Sequence, residues 1–408
     1  MRVGILDVDL LDHGTRHPNL ALMKISGFLK DAGHEVSLIQ DKGEVESLDA
    51  CPYEKVIASK VFKFSATPNL ILQNGVPGRG TTRDYTSRAR DRMVIFGGTG
   101  FSYRGRSFPP NMPTEIEHHM PDYDLYTDFV NAQVEHGKDR KNFKDYEKFS
   151  IGFTTRGCFR RCPFCVNKHY KEVVPWSPVE EFLDAERPYI YLWDDNFLGL
   201  GIATRKDDER QGRTQPWELI LDQLDATGKP FQFRQGLDMR LMTPYIAERF
   251  SHSHYHGDYI FAFDHIQDAQ IIARNLDIWR TYNHKLTKFY VLCGFDSIDE
   301  NDIANTLERI RILMAHHALP YVMRYENYKN SKYAGLYVQL ARWCNQPEFF
   351  KKKSFRQYCE RCQEYYVEHG GGKKNPISAP MAALRLFEKD HPEIARRYFD
   401  IRFDRQGQ

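Results

Sequence analysis

The sequence predicts an α/β protein with an N-terminal doubly wound, Rossmann-like domain, a partial (β/α)6 barrel of the TIM type and a helical C-terminal tail. Two observations lead to this prediction. Short apolar runs alternate with stretches of helical periodicity, which is the pattern of β/α units. The chain has 408 residues and is 41% hydrophobic, so it can form more than one core. The predicted boundaries are 1–105 for the Rossmann-like domain, 106–147 for a linker, 148–326 for the barrel and 327–408 for the helical region.

Four apolar runs of strand length predict the sheet of the N-terminal domain. They are residues 3–8, 35–39, 55–58 and 93–96. Residues 20–32 carry apolar side chains at helical spacing and are followed by Gly33, a residue typical of a helix C-terminus. The last strand leads into a Gly-Gly-Thr-Gly segment at 97–100, which lies where open α/β sheets bind their ligands.

Six further strand candidates follow from residue 149 onward, with helical stretches between them. They are residues 149–155, 189–193, 231–235, 259–263, 289–294 and 321–324. A succession of β/α units favours a parallel sheet, and curling such a sheet gives a partial barrel. The segment before them is rich in proline and charge and shows little periodicity, so it is predicted to be a linker or a segment that wraps around the neighbouring domains.

Charge and hydropathy limit the classes of partner. The chain has 57 basic and 55 acidic residues, a net charge of +2, which favours neither nucleic acid nor an anionic membrane as a partner. Acidic residues interrupt the first apolar run, unlike in a signal peptide, and no apolar stretch has the length of a bilayer span. We therefore expect a cytoplasmic protein without a membrane partner.

Cys158, Cys162 and Cys165 form a CxxxCxxC motif directly after the first predicted barrel strand. Clustered thiols in a reducing cytosol indicate a metal site or catalysis. Cysteine thiolates hold iron–sulfur clusters, and three of them leave one iron of a [4Fe–4S] cubane open to a further ligand. Three arginines in the same stretch are predicted to favour ionised thiolates. They are Arg156, Arg160 and Arg161. The alternative is a zinc site, to which His169 would supply the fourth ligand.

The motif resembles the signature of the radical S-adenosylmethionine (SAM) superfamily, in which an aromatic residue precedes the last cysteine, as Phe164 does here. The resemblance extends over about 148–325. It implies that the open iron binds the amino and carboxylate groups of SAM. It also implies that the cluster cleaves SAM reductively and that the resulting 5′-deoxyadenosyl radical acts on a substrate. Neither the substrate nor any catalytic side chain is identified by the sequence. An electron donor such as flavodoxin or ferredoxin is the further partner that the resemblance implies.

The same resemblance assigns a SAM pocket to the ends of successive strands. Asp194-Asp195-Asn196 stands where the family more usually has Gly-Gly-Glu, and carboxylates there would accept hydrogen bonds from an ammonium group. The alternative for this segment is a capped turn, which Asp and Asn also favour. The assigned residues are Phe164, Asp194, Asp195, Gln235, Asp264 and Gly294.

The N-terminal domain resembles the B12-binding domain that precedes many such barrels, through residues 18–36, 94–98 and 121–124. Many of those domains contain a DxHxxG motif whose histidine ligates cobalt. That motif is absent here, and Asp12-His13-Gly14 has its residues at a different spacing. Cobalamin is therefore an open alternative that the sequence does not favour. A cobalamin-dependent radical SAM methyltransferase is the alternative function within the class.

The tail contains Cys359 and Cys362, with Cys344 upstream. The pair is open to three interpretations: an auxiliary iron–sulfur cluster, a zinc site, or two thiols one helical turn apart. The sequence favours the last, because the cysteine spacing of known auxiliary domains is missing. A non-catalytic zinc or iron–sulfur scaffold is the alternative function from a different class.

Overall fold

The computed structural model describes residues 1–46, 51–68, 94–103, 106–107, 112–371 and 375–403. It divides into two compact units. The first unit comprises Met1–Gly152 and Ser177–Tyr191, and the second comprises Phe153–Trp176 and Leu192–Gln408. The predicted mixed α/β class with parallel sheets is confirmed.

The N-terminal half of the first unit is an open parallel sheet with helices. Its elements are β1 (Arg2–Asp7), α1 (Val8–His13), α2 (Leu20–Asp31), β2 (Glu35–Leu38), β3 (Lys55–Ser59) and β4 (Val94–Gly97), followed by the short strands β5 (Ser102–Tyr103) and β6 (Arg106–Ser107). The four longer strands are arranged in the order β2-β1-β3-β4, and every neighbouring pair is parallel. The chain leaves β1 toward one side and returns on the other, so a topological switch point lies between β1 and β3. Residue 93 of the last predicted strand lies outside the described residues.

Burial explains the apolar character of β1. It is an inner strand, pairing on one side with β2 and on the other with β3, and every residue after Arg2 is buried. A parallel strand covered on both faces is expected to be continuously apolar rather than alternating. Helix α2 begins where the Asn19 side chain accepts a hydrogen bond from the backbone of Leu22, at 3.3 Å, and Gly33 follows it at φ +79°.

The described part of the segment 106–147 includes the α-helices α3 (Thr114–Glu117), α4 (Thr127–Glu135) and α5 (Lys144–Glu147). It also contributes side chains to the core of the first unit, where they pack with Val3, Ile5 and Leu22. These side chains are Leu125, Tyr126, Val130, Phe143 and Tyr146. The segment is therefore a packed part of this unit rather than an irregular connection. Two of these helices have only four residues, so they show little periodicity.

Strands stand at all six positions predicted for the barrel. They are β7 (Phe149–Gly152), β10 (Tyr189–Leu192), β11 (Phe231–Phe233), β12 (Tyr259–Ala262), β13 (Thr287–Cys293) and β14 (Leu319–Arg324). Within the second unit, β12, β13 and β14 form a parallel sheet in that order. The backbone N–H of Leu237 donates to Ile260 at 2.8 Å, so the segment after β11 runs beside β12. Curvature of these strands into a barrel stays a prediction.

Helices separate the strands of the second unit and form its C-terminal region. Between strands lie α6 (Arg205–Arg210), α7 (Pro216–Ala226), α8 (Pro244–Ser251), α9 (Ala269–Tyr282) and α10 (Glu300–Ala315). After β14 come α11 (Ala334–Cys344), α12 (Pro347–Phe350), α13 (Phe355–Glu368), α14 (Ala379–Asp390) and α15 (Pro392–Tyr398). Cys359 and Cys362 lie one turn apart on α13, the first buried and the second half-buried. Across the described ranges, no helix has the length and apolar character that a membrane span requires.

Candidate functional site

The three motif cysteines lie in the loop of a small hairpin in the second unit. Strand β8 (Thr155–Arg156) pairs antiparallel with β9 (Val174–Pro175), and the chain between them carries the cysteines. Gly157 begins this loop at φ +98°, where a Cβ atom would lie 2.3 Å from the carbonyl oxygen of Glu172. Only glycine fits this backbone conformation and this close approach.

Backbone and side-chain N–H groups donate to the sulfurs at both ends of this loop. The backbone N–H of Arg160 and the side-chain amide of Asn196 each donate to Cys158 Sγ at 3.4 Å. The backbone N–H of Asn167 donates to Cys165 Sγ at the same distance. N–H donors to sulfur stabilise thiolates and are among the groups that tune iron–sulfur clusters. The donor set therefore fits an iron–sulfur cluster.

The thiols are half-buried and close enough to influence one another's ionisation. Burial raises the pKa of Cys162 and of Cys165 above the usual value, and the neighbouring thiolates raise both further. The cation that opposes this at Cys162 is Arg240. At these two thiols desolvation outweighs the positive charge nearby, so the effect of the loop's own arginines on cluster-bound thiolates stays a prediction.

The loop's arginines have other partners. Arg160 Nε donates to Asp238 Oδ2 at 2.7 Å, and Arg240 Nε donates to Asp238 Oδ1 at 2.7 Å. Burial acts to raise the pKa of Asp238, but the two guanidinium groups outweigh it and the net pKa is lowered. Arg156 lies over the Phe153 ring, 4.0 Å from its centroid. One ion-paired network thus connects the cysteine loop with the segment after β11.

Within the described ranges, no three His, Cys, Asp or Glu side chains lie close enough together to ligate a single metal ion. A cubane differs from such a site, because each protein thiolate binds a different iron. His169, the residue considered for a zinc site, makes a 3.0 Å hydrogen bond from Nδ1 to the Val166 carbonyl oxygen.

Asp194 is 3% exposed, and hydrogen bonds from the start of the hairpin occupy its carboxylate. It accepts from the backbone N–H and the hydroxyl of Thr154, at 2.9 and 2.6 Å, and from the same groups of Thr155, at 2.9 and 2.7 Å. Burial raises the pKa of Asp194 to about 6, and these hydrogen bonds act against the shift. Its acceptors are thus used within the chain.

Asp195 contacts both ends of the cysteine loop. Its Oδ2 accepts from the Gly157 backbone N–H at 2.8 Å, and its Oδ1 accepts from the Asn167 side-chain amide at 2.6 Å. Arg156 Nε lies 4.0 Å from the same carboxylate. Like Asp194, Asp195 therefore acts on the hairpin in this structure.

Asn196 is the member of this motif that keeps an unused acceptor. It is 4% exposed, its amide nitrogen faces Cys158, and its Oδ1 has no hydrogen-bond partner. Buried polar atoms are nearly always paired, so this acceptor beside the cysteine motif is a candidate ligand position. Asn196 belongs to the predicted Asp194-Asp195-Asn196 motif but is not among the residues predicted for the SAM pocket.

Phe164 packs against residues that follow β12 and β13. Its ring centroid lies 5.8 Å from that of His265 and 5.4 Å from that of Phe295, the latter in an edge-to-face arrangement. Phe295 in turn meets Tyr325 edge to face at 4.8 Å. The cysteine loop is therefore bordered by a row of aromatic rings, which the sequence analysis missed because their strands are far apart in sequence.

The remaining predicted residues differ in their surroundings. The charge of Asp264 raises the pKa of Cys162 and of Cys165, so Asp264 lies near the loop. Burial raises the pKa of Asp264 itself, and the positive charge of Arg309 acts against this shift. Gly294 has φ +73° and donates its N–H to Asp302 Oδ2 at 2.8 Å. Gln235 is exposed. Two other residues of the same segment lie near the cysteine loop: Asp238, which accepts from Arg160, and Arg240, whose charge affects Cys162.

In the first unit, the histidine considered for cobalt already has partners. His13 Nδ1 lies 2.9 Å from the Gly14 carbonyl oxygen, and Nε2 lies 3.1 Å from Ser65 Oγ. Its ring stands beside Phe64, with centroids 5.4 Å apart.

No protein-family model and no curated protein matches this chain. Two solved structures of the radical SAM methyltransferase TsrM from Kitasatospora setae are similar to it. The one with cobalamin and a [4Fe–4S] cluster bound has 12% identity and a TM-score of 0.42, over 79% of this chain and 74% of that one. The one with tryptophan substrate and the SAM analogue aza-SAM has 13% identity and a TM-score of 0.43, over 79% and 72%. Likeness at this level establishes neither the fold nor the function of this chain.

Proposed function

We propose that this chain is a radical SAM enzyme and that Cys158, Cys162 and Cys165 hold its [4Fe–4S] cluster. The observation that carries the proposal is the hairpin loop itself, which holds three half-buried thiols and in which N–H groups donate to Cys158 and Cys165. When bound, such a cluster supplies the electron that cleaves SAM into methionine and a 5′-deoxyadenosyl radical.

The residues around the loop suit the two ends of SAM. Asn196 Oδ1 is a buried acceptor without a partner beside Cys158, and it would accept a hydrogen bond from the ammonium group. The rings of Phe164, Phe295 and Tyr325 offer apolar surface to the adenine. Asp194 and Asp195 would act indirectly, by fixing the hairpin. Flavodoxin or ferredoxin would supply the electron, and the substrate is unidentified.

Single replacement of each motif cysteine tests the proposal. We expect Cys158→Ala, Cys162→Ala and Cys165→Ala each to abolish cluster incorporation and the formation of 5′-deoxyadenosine, because three ligands leave none redundant. The measurements are iron and sulfide per chain after anaerobic reconstitution, and deoxyadenosine by chromatography. Cys362→Ala, on α13, is the control and should keep both.

Normal iron content and SAM cleavage in any one of the three variants would refute the assignment. Colourless wild-type protein that contains zinc instead of iron would support the non-catalytic scaffold.

A cobalamin-dependent methyltransferase is the second candidate. It is favoured by the strand order β2-β1-β3-β4 of the first unit, since open parallel sheets bind cofactors at the switch point between strands such as β1 and β3. The missing histidine motif argues only against one mode of cobalt ligation. Retention of a corrinoid by the purified protein separates the two candidates.

A further inference from the structure

We propose that Asp195 and Asn167 form a clasp that holds the cysteine loop closed and so positions its thiols. The proposal rests on the proposed function. One carboxylate contacts residues on either side of the motif: Gly157, directly before Cys158, and Asn167, two residues after Cys165. Asp195 itself follows a different strand, β10. Its carboxylate therefore holds together two residues that are ten positions apart in the sequence.

Each half of the clasp acts on a terminal cysteine. On one side, the hydrogen bond from Gly157 fixes the peptide that leads into Cys158, at a backbone conformation which only glycine adopts readily. On the other side, Asn167 uses its side chain for Asp195 and its backbone N–H for Cys165 Sγ. Loosening either contact would release the sulfur next to it.

The clasp needs a group with two acceptors, because both of its partners are donors. A carboxylate offers acceptors on both oxygens, whereas an amide would turn an N–H toward one of the donors. The Asp195 side chain is 8% exposed, so water replaces neither contact easily. Asp194 cannot substitute for it, since its oxygens are taken by Thr154 and Thr155.

A reciprocal exchange tests the clasp. In Asp195→Ala both acceptors are lost, and in Asn167→Asp two carboxylates face each other. In the double variant, Asp195→Asn with Asn167→Asp, the new amide at 195 keeps its oxygen for Gly157 and donates to the new carboxylate at 167, so the contacts are restored with the same total charge. Asp207→Asn, at an exposed ion pair with Arg210, is the matched control.

We expect each single variant to lose iron to a chelator about 10- to 100-fold faster than the wild type, as is typical when the groups that orient metal ligands are replaced. The reduced-cluster electron paramagnetic resonance spectrum should broaden in both. The double variant should recover the rate and the spectrum, and the control should match the wild type. If substitutions at these two positions acted only by destabilising the fold, combining two of them would not restore the rate of iron loss or the spectrum. Recovery in the double variant therefore shows that residues 195 and 167 act through their contact.

Equal iron loss in Asp195→Ala and the control would overturn the clasp, and so would a double variant that loses iron as fast as Asn167→Asp. Wild-type protein that never binds iron would refute the proposed function but not the clasp. In that case alkylation of Cys158 and Cys165 in the metal-free protein decides, with faster modification in the single variants expected and equal rates overturning the clasp. Where Asp195→Ala fails to fold, Asn167→Ala, which removes one contact, is measured the same way.

Discussion

Single residues at this site are distinguished by which of their polar atoms are already used. Asp194 and Asp195 were predicted to bind the ammonium group of SAM, because that group needs hydrogen-bond acceptors. In the structure the carboxylate oxygens of Asp194 accept hydrogen bonds from Thr154 and Thr155. The side-chain oxygen Oδ1 of Asn196, by contrast, has no hydrogen-bond partner. Sequence shows which residues carry acceptors, but whether an acceptor is free depends on partners some 40 positions away.

The buried carboxyl of Asp194 predicts a pH dependence of stability. Its pKa is raised by burial from 3.8 to about 6. Between these values the folded protein keeps a proton that the unfolded chain releases. The free energy of unfolding therefore falls by about 3 kcal/mol from this group as the pH rises from about 4 to about 6.

We expect Asp194→Asn to remove this contribution. Relative to the variant, the wild-type melting temperature should fall as the pH rises through this window and then stay level. Calorimetry of the metal-free proteins at closely spaced pH values gives the measurement, with Asp207→Asn as the control. Parallel curves for wild type and Asp194→Asn would show that this carboxyl does not titrate in the window.

Among the helices, those long enough to show a helical period of apolar residues could be predicted from the sequence, whereas helices of a single turn could not. The helix predicted at 20–32 corresponds to α2, because burial of one helix face imposes the helical period. Strands also stand at the six positions predicted for the barrel, where apolar runs alternate with helical stretches. Helices α3 and α5 have four residues each, about one turn, so they contain no period to detect. Helix α5 packs through Tyr146, whereas α3 buries none of its side chains.

Helix α10 fixes the ends of two strands beside the candidate site. Buried Arg309 donates to the carbonyl oxygens of Phe263 and Asp264, at 2.9 and 2.7 Å, and to that of Leu292 at 2.8 Å. Replacement by an apolar side chain would leave three buried carbonyl groups unpaired. We expect Arg309→Met to lower the free energy of unfolding by about 3–5 kcal/mol.

The same variant should weaken SAM binding, because Asp264 lies on one of the strand ends that Arg309 fixes. Thermal unfolding and equilibrium binding of SAM give the two measurements. Arg311→Met on the same helix is the control, since Arg311 pairs with Glu308 at the surface and should contribute less than about 1 kcal/mol. Equal effects of the two substitutions would contradict a positioning role for Arg309.

For the whole molecule, composition predicted more than one core, and the structure has two compact units. The order β2-β1-β3-β4 was not predictable from the sequence, because strand order depends on pairings between segments far apart in the chain. That order is what creates a switch point between β1 and β3, and with it a position for a cofactor in the first unit. The glycine-rich segment at 97–100 was the one sequence signal that pointed to this end of the sheet.

The mode of any corrinoid binding in the first unit can be predicted from His13. Both of its ring nitrogens have partners, Gly14 and Ser65, so neither is available to cobalt without breaking a contact. We therefore expect the visible spectrum of corrinoid retained after reconstitution with hydroxocobalamin and removal of free cofactor to be the same in wild type and His13→Ala. His34→Ala, which alters a histidine elsewhere in this unit, is the control.

Bands that disappear only in His13→Ala would show histidine ligation and refute the prediction. Wild-type protein that retains no corrinoid would instead eliminate the methyltransferase candidate, because that reaction needs cobalamin bound while SAM is consumed.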